Sequence, residues 1–274
     1  MKIEKPPYME LVIEAGYALA ALVAGLILPW KGWRAVFFVG ILPAFFTLAV
    51  RCRVQEPEIW KRRKKLPGEG FMHGFRRIFQ KALRPITIAI TLMNSCTLFA
   101  WWGFNLWVPG YLSLPHNRGG VGLSIHAMSG TVIAMQAGMW LGYISFGFLS
   151  DMFGRKRCYV PYLIVAAVLM FFYSRLHAPW LLIALGPLVA FFGTGYYTGF
   201  ATVTAEIYET PIRATAQGFA YNVGRIASAA APFVVGSMAQ QRGFGIAFAI
   251  AGTAFVTAAI CWIWIPETKG RPLS

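Results

Sequence analysis

Eight long apolar stretches constrain this 274-residue chain more than any other feature. They occupy 15–29, 34–50, 86–112, 121–149, 158–175, 179–203, 213–239 and 244–265. A helix needs about 20 mostly apolar residues to cross about 30 Å of hydrocarbon. Several stretches exceed that length, so tilt or overhang is expected. Only 13% of the residues are charged, against about 25% in an ordinary soluble domain. The many glycines and prolines, 28 and 16, would break long helices in water. In a bilayer, neighbouring helices resatisfy the backbone groups they free. The predicted fold class is all-α: a polytopic membrane protein of about eight transmembrane helices. Glu4, Glu10 and Glu14 precede the first stretch, an acidic lead unlike the basic one of a secretory signal.

The formal net charge of +15 raises the question of nucleic acid, most pointedly at Lys61-Arg62-Arg63-Lys64-Lys65. Its distribution answers otherwise. Taking the loops alternately, one side of the membrane holds 19 Lys and Arg and the other holds 5, with Arg225 inside a stretch. That asymmetry is the positive-inside pattern, so the richer side is predicted to be cytoplasmic, together with both termini. The partner this charge implies is the lipid bilayer, and no nucleic acid is expected. Cys52, Cys96, Cys158 and Cys261 are scattered without paired spacing, which predicts neither a disulfide framework nor a zinc site. No cofactor or metal is expected.

The basic segment divides the chain into three predicted regions: two spans over 1–51, a basic loop over 52–83, and six spans over 84–274. Within the loop, Phe75, Ile78, Phe79, Ala82 and Leu83 recur at helical spacing, with Arg76, Arg77, Lys81 and Arg84 between them. The pattern predicts an amphipathic helix on the inner membrane surface, leading into the next span. The other loops are short and leave no room for a soluble catalytic domain. His73, His116, His126 and His177 are unpaired, and no nucleophile elbow, zinc-binding helix or phosphate-cradling loop is present. The chain is therefore not expected to be an enzyme.

Four motifs carry a resemblance. Asp151-x-x-Gly154-Arg155-Lys156-Arg157 resembles the D-R-x-G-R-R loop of the major facilitator superfamily, with Met152 where the motif has its first basic residue. Gln55-Glu56-Pro57-Glu58 with Trp60 resembles the block after the sixth helix of sugar-porter-like members. Glu206-Ile207-Tyr208-x-x-Pro211-Ile212-Arg213 is similar to the block after the tenth helix. Pro266-Glu267-Thr268-Lys269-Gly270 is similar to the signature after the twelfth. Residues 32–38 and 213–219 look most like the metabolite:proton symporters, a branch with sialate, lactate and aromatic-acid carriers.

The resemblance implies that the eight spans correspond to helices five to twelve of a twelve-helix carrier, with helices one to four absent. It also implies that Asp151, Gly154, Arg155, Arg157, Glu206 and Arg213 form a cytoplasmic gating network. Such a network stabilises the outward-facing state and separates in the other. The implied activity is proton-coupled transport of a small organic acid or metabolite by alternating access, in a plasma or bacterial inner membrane. The alternative is a truncated, non-transporting remnant or a membrane interaction partner.

Arg225 is the residue with the sharpest physical consequence. It lies about twelve positions into its stretch, or roughly 18 Å deep at 1.5 Å per residue. A charge there costs about 2.5–3.5 kcal/mol even on translocon-insertion scales, and no Asp or Glu lies at comparable depth. An anionic small-molecule substrate would offset that cost, because a guanidinium fork matches a carboxylate. Backbone carbonyls and buried polar side chains would offset it too. Gln217, Tyr221 and Arg225 recur at helical spacing, with Asn222 beside them. Asn94, Trp101 and Asn105 share a face of an earlier span, as do Gln136, Trp140 and Tyr143 of the next. Tyr197 comes from 179–203. Aromatic walls with a few placed polar groups are what a small-molecule site requires; interfacial belts and helix–helix glue use the same residue types.

Overall fold

The protein's computed structural model describes residues 27, 31–32, 34–53, 71–176 and 178–271. The first expected span and most of the basic loop, with its sugar-porter-like block, lie outside these. The chain divides into two compact units, Met1–Glu69 and Gly70–Ser274. In the first, 34–39 is helical and a turn at Gly40-Ile41 leads into helix α1, Leu42–Arg53. The apolar part, Arg34–Phe45, is shorter than a bilayer span.

The second unit begins with α2 (Phe71–Ile78) and α3 (Arg84–Asn105), followed by the short α4 (Val108–Ser113). Four long segments come next: α5 (Ile125–Phe153), α6 (Arg155–Tyr173), the pair α7 (Pro179–Thr194) and α8 (Tyr197–Ile207), and α9 (Thr210–Arg242). Helix α10 (Phe244–Cys261) closes the order. No strand occurs among the described residues.

Among the described residues, five segments are long and apolar enough to cross a membrane: Arg84–Ser113, Ile125–Phe153, Arg155–Tyr173, Pro179–Ile207 and Phe244–Cys261. The other three of the eight expected stretches are not among these, for identifiable reasons. One stretch is not described and one is short. The third, α9, has 33 residues but is diluted by Arg213, Gln217, Asn222, Arg225 and the run Gln240-Gln241-Arg242.

Packing between these helices relies on small residues that let backbones approach. A Cβ on Gly138 of α5 would stand 2.1 Å from the Pro187 carbonyl oxygen of α7, and one on Gly142 would stand 2.4 Å from that of Phe191. No larger residue fits there without parting the helices. Across α3 and α9, a Cβ on Gly224 would meet Asn94 Nδ2 at 2.3 Å. In a bilayer, lipid tails are as apolar as leucine, so this close dispersion contact replaces the hydrophobic drive that holds a soluble core. The core itself is aromatic: Phe104, Tyr111, Phe248 and Tyr173 pack edge to face or tilted at 4.9–6.3 Å.

The amphipathic helix exists, but it is shorter than expected and its apolar face meets protein. Phe75 and Phe79 sit at 5.6 and 5.3 Å from the Phe219 ring of α9, each edge-on. Ile78 is fully buried, whereas Ala82 lies in a turn and is exposed. Arg77 donates to Glu209 at 2.9 Å, tying α2 to the start of α9. Among the described contacts, the apolar stripe docks on α9.

Candidate functional site

Two regions of the second unit carry polar chemistry. At one end, helix α5 stops at Gly154, whose φ of +110° is a conformation that L side chains rarely adopt. A Cβ there would also meet Glu267 Oε2 at 2.7 Å. The turn delivers Arg155 to the first position of α6, where its side chain is only 10% exposed. Its Nε and Nη2 grip the two carboxylate oxygens of Glu206 at 3.2 and 2.8 Å, the fork geometry that makes arginine–carboxylate pairs strong. Its Nη1 donates to Asp151 and, at 3.4 Å, to Ser150 Oγ. Thr268 Oγ1 donates to Glu206 Oε2 at 2.5 Å.

Glu267 closes this end. Its Oε1 accepts from the backbone N–H groups of Arg155, Thr268 and Lys269 at 2.8, 2.9 and 3.1 Å, and Oε2 from Lys156 at 3.1 Å. The carboxylate thus caps the free N–H groups at the N-terminus of α6, where the helix dipole also favours an anion. Burial works to raise its pKa. The N–H donors of Lys269, Arg155, Thr268 and Lys156 outweigh that and hold it below its usual value. Lys269 Nζ donates to the Met152 carbonyl at 2.7 Å. Asp151, Gly154, Arg155 and Glu206 of the predicted network are therefore brought together. Arg157 is exposed and outside the cluster, and Arg213 donates Nε to the Tyr208 carbonyl at 3.1 Å. Glu267 and Thr268 were readable only as a terminal motif; nothing in their spacing told that Glu267 caps a helix more than a hundred residues away or that Thr268 bonds Glu206.

The second region lies deeper. Tyr143 stands ten residues before the end of α5, Tyr197 ten before the end of α8, and Tyr221 eleven after the start of α9. At 1.5 Å per residue, all three lie about 15 Å in from the charged end. They come from three helices to one level, and the hydroxyl of Tyr197 is within electrostatic range of the other two. Phe200 packs on Tyr221 at 6.2 Å. One turn further in, about 22 Å from the same end, the Arg225 guanidinium lies over the Tyr221 ring at 5.9 Å from its centroid. Among the described residues no carboxylate pairs with it: Asp151, Glu206, Glu209 and Glu267 all sit at the charged end.

The ten predicted site residues separate on this geometry. Arg225, Tyr221 and Asn222 are exposed along one stripe of α9, and Asn222 bonds only its own helix, at Gly218 O. Gln136 and Trp140 are exposed on α5, three to seven residues from Tyr143 and hence on its face. Tyr197 is half-buried, as is Asn105. The other three hold helices together. Asn94 is buried and donates to Ala220 O at 3.0 Å. Gln217 donates to Ala201 O and Thr204 Oγ1 at 2.9 and 2.8 Å. Trp101 is 3% exposed, and a Cβ on Gly193 would meet its ring at 3.0 Å. Among the described residues no group of His, Cys, Asp and Glu could hold a metal ion.

Close small-residue contacts between helices, several of them long and apolar enough to cross a membrane, define the second unit as a polytopic membrane bundle. The model of the Major Facilitator Superfamily matches residues 111–274, and the chain belongs to that family. It is 33% identical to a protein of Haemophilus influenzae named for metabolite transport, over 97% of this chain and 66% of that one. It is 32% identical to a cis,cis-muconate transport protein of Acinetobacter baylyi, over 94% and 62%. A Bacillus subtilis protein named for niacin and nicotinamide transport is 29% identical, over 94% and 63%. The chain thus spans about two thirds or less of these relatives. Among solved structures, a peptide transporter aligns with a TM-score of 0.57 at 17% identity, covering 65% of this chain and 37% of that one; that likeness concerns the fold.

Proposed function

We propose that this chain is part of a secondary carrier for a small organic anion, coupled to protons and working by alternating access in a bacterial inner membrane. The observation that carries the reading is Arg225: a guanidinium about 22 Å from the charged end, over an aromatic ring and without a carboxylate partner among the described residues. Low dielectric strengthens its attraction for an entering carboxylate, and the fork can hold both oxygens. Tyr221, Tyr143, Tyr197 and Trp140 supply an aromatic wall at the same level. The relatives named for cis,cis-muconate and niacin support an unsaturated carboxylate as cargo. Arg155, Asp151, Glu206 and Glu267 act as the gate: their pairs hold one conformation, and the basic end faces the cytoplasm with both termini.

The test is uptake of labelled cis,cis-muconate and nicotinate into proteoliposomes under an imposed pH gradient. Gradient-dependent uptake is expected, falling at least about tenfold in Arg225→Ala with insertion intact. Uptake unaltered by that substitution would refute the anion role, and uptake indifferent to the gradient would refute proton coupling.

A further inference from the structure

Three buried polar side-chain atoms lack a hydrogen-bond partner among the described residues: Tyr173 Oη, Trp262 Nε1 and Tyr197 Oη. Tyr173 and Trp262 are fully buried residues inside aromatic packing, against Phe104 and Tyr159 respectively. Tyr197 is different. Its ring is partly exposed, it stacks on Tyr196 at 4.9 Å, and it stands at the level of Tyr143 and Tyr221. Tyr196 directs its own hydroxyl toward the Thr97 carbonyl at 3.5 Å. A donor left unpaired out of water is among the costlier features a fold can retain. Phenylalanine would fill the same space without that cost.

We infer that the Tyr197 hydroxyl is a specificity-determining donor, selecting cargo that carries a hydrogen-bond acceptor remote from the carboxylate held by Arg225. This rests on the carrier reading above. Tyr221 connects the two groups: its ring lies beneath the Arg225 guanidinium, and it is within range of the Tyr197 hydroxyl. It is also 42% exposed, so it can swing aside when a carboxylate engages Arg225, uncovering the donor. Tyr197 and Arg225 differ by about 6–8 Å in depth, a separation on the scale of one aromatic ring with a substituent. Cargo with an acceptor at its far end pairs both groups. Cargo without one leaves the hydroxyl orphaned and binds less well.

The experiment compares benzoate, nicotinate and isonicotinate at neutral pH, where the ring nitrogens are unprotonated. The three differ in one ring atom. Binding to the full chain in lipid nanodiscs is measured by calorimetry for the native protein, Tyr197→Phe and Arg225→Gln. At least one pyridine acid is expected to bind about tenfold more tightly than benzoate, the factor that one paired donor supplies. In Tyr197→Phe that advantage disappears, the ratio of pyridine-acid to benzoate affinity falling to about one, and thermal stability does not fall. Equal affinities in the native protein, an advantage that survives Tyr197→Phe, or a lowered melting temperature in that variant each overturn the inference while leaving the carrier reading intact. Binding of none of the three acids, or benzoate binding indifferent to Arg225→Gln, overturns the site itself and this inference with it.

Discussion

The charged end and the deep band of this bundle use similar side chains to opposite ends. Arg155 has Glu206, Asp151 and Ser150 around its guanidinium, and Glu267 has four backbone donors. Arg225, deeper in the same bundle, has an aromatic face and no carboxylate among the described residues. Tyr197 there keeps an unpartnered hydroxyl, whereas Tyr208 near the charged end donates to Thr87 Oγ1 at 2.9 Å. Satisfied polar groups fix a structure, and the unsatisfied ones at mid-depth are those that the proposed function assigns to cargo. The difference separates what holds this protein together from what it is proposed to be for.

The comparison can be broken most forcefully at Arg155. Replacing it with alanine leaves Glu206, 10% exposed, as an uncompensated charge. Thermal unfolding of the detergent-solubilised protein should show a loss of about 3–5 kcal/mol; a loss under about 1 kcal/mol would mean the cluster is not structural. A smaller effect belongs to Glu267. Glu267→Ala should lower stability by about 1 kcal/mol, as loss of a helix cap does. Because its folded pKa is depressed, its contribution is complete above the unfolded value of about 4.3. It is lost as pH falls through the folded value. Melting temperature followed downward from neutral pH should therefore drop more steeply in the native protein than in Glu267→Ala. The smallest effect is expected at Arg225. Arg225→Ala should change stability by no more than about 0.5 kcal/mol, since no ion pair is removed; a large loss would place that guanidinium with the structural charges and dissolve the contrast.

How far the sequence revealed this arrangement follows from what a linear pattern encodes. Apolar length marks α3, α5, α6, the α7–α8 pair and α10 directly, because the bilayer imposes it. It underrates α9, whose polar stripe dilutes the apolar signal. Helical spacing placed Asn94, Trp101 and Gln217 on faces that looked like site walls. Spacing tells which residues share a face, not what lies opposite, and opposite them stand Ala220, Gly193 and Thr204. The same limit applied to Phe75 and Phe79, whose amphipathic period was legible while their partner Phe219 was not. Arg225 could be singled out because charge at depth needs no neighbour to be anomalous.

The Glu267 cap also has a consequence for the order of events in biosynthesis. Its carboxylate bonds the N–H of a residue 112 positions earlier. At a synthesis rate of about 5–20 residues per second, the start of α6 waits roughly 6–22 s before its anion arrives. During that interval Arg155 can already hold Glu206, but the helix end stays open to water. The chain's last motif thus acts as a late fastening, engaged only after the other helices of the bundle have been made.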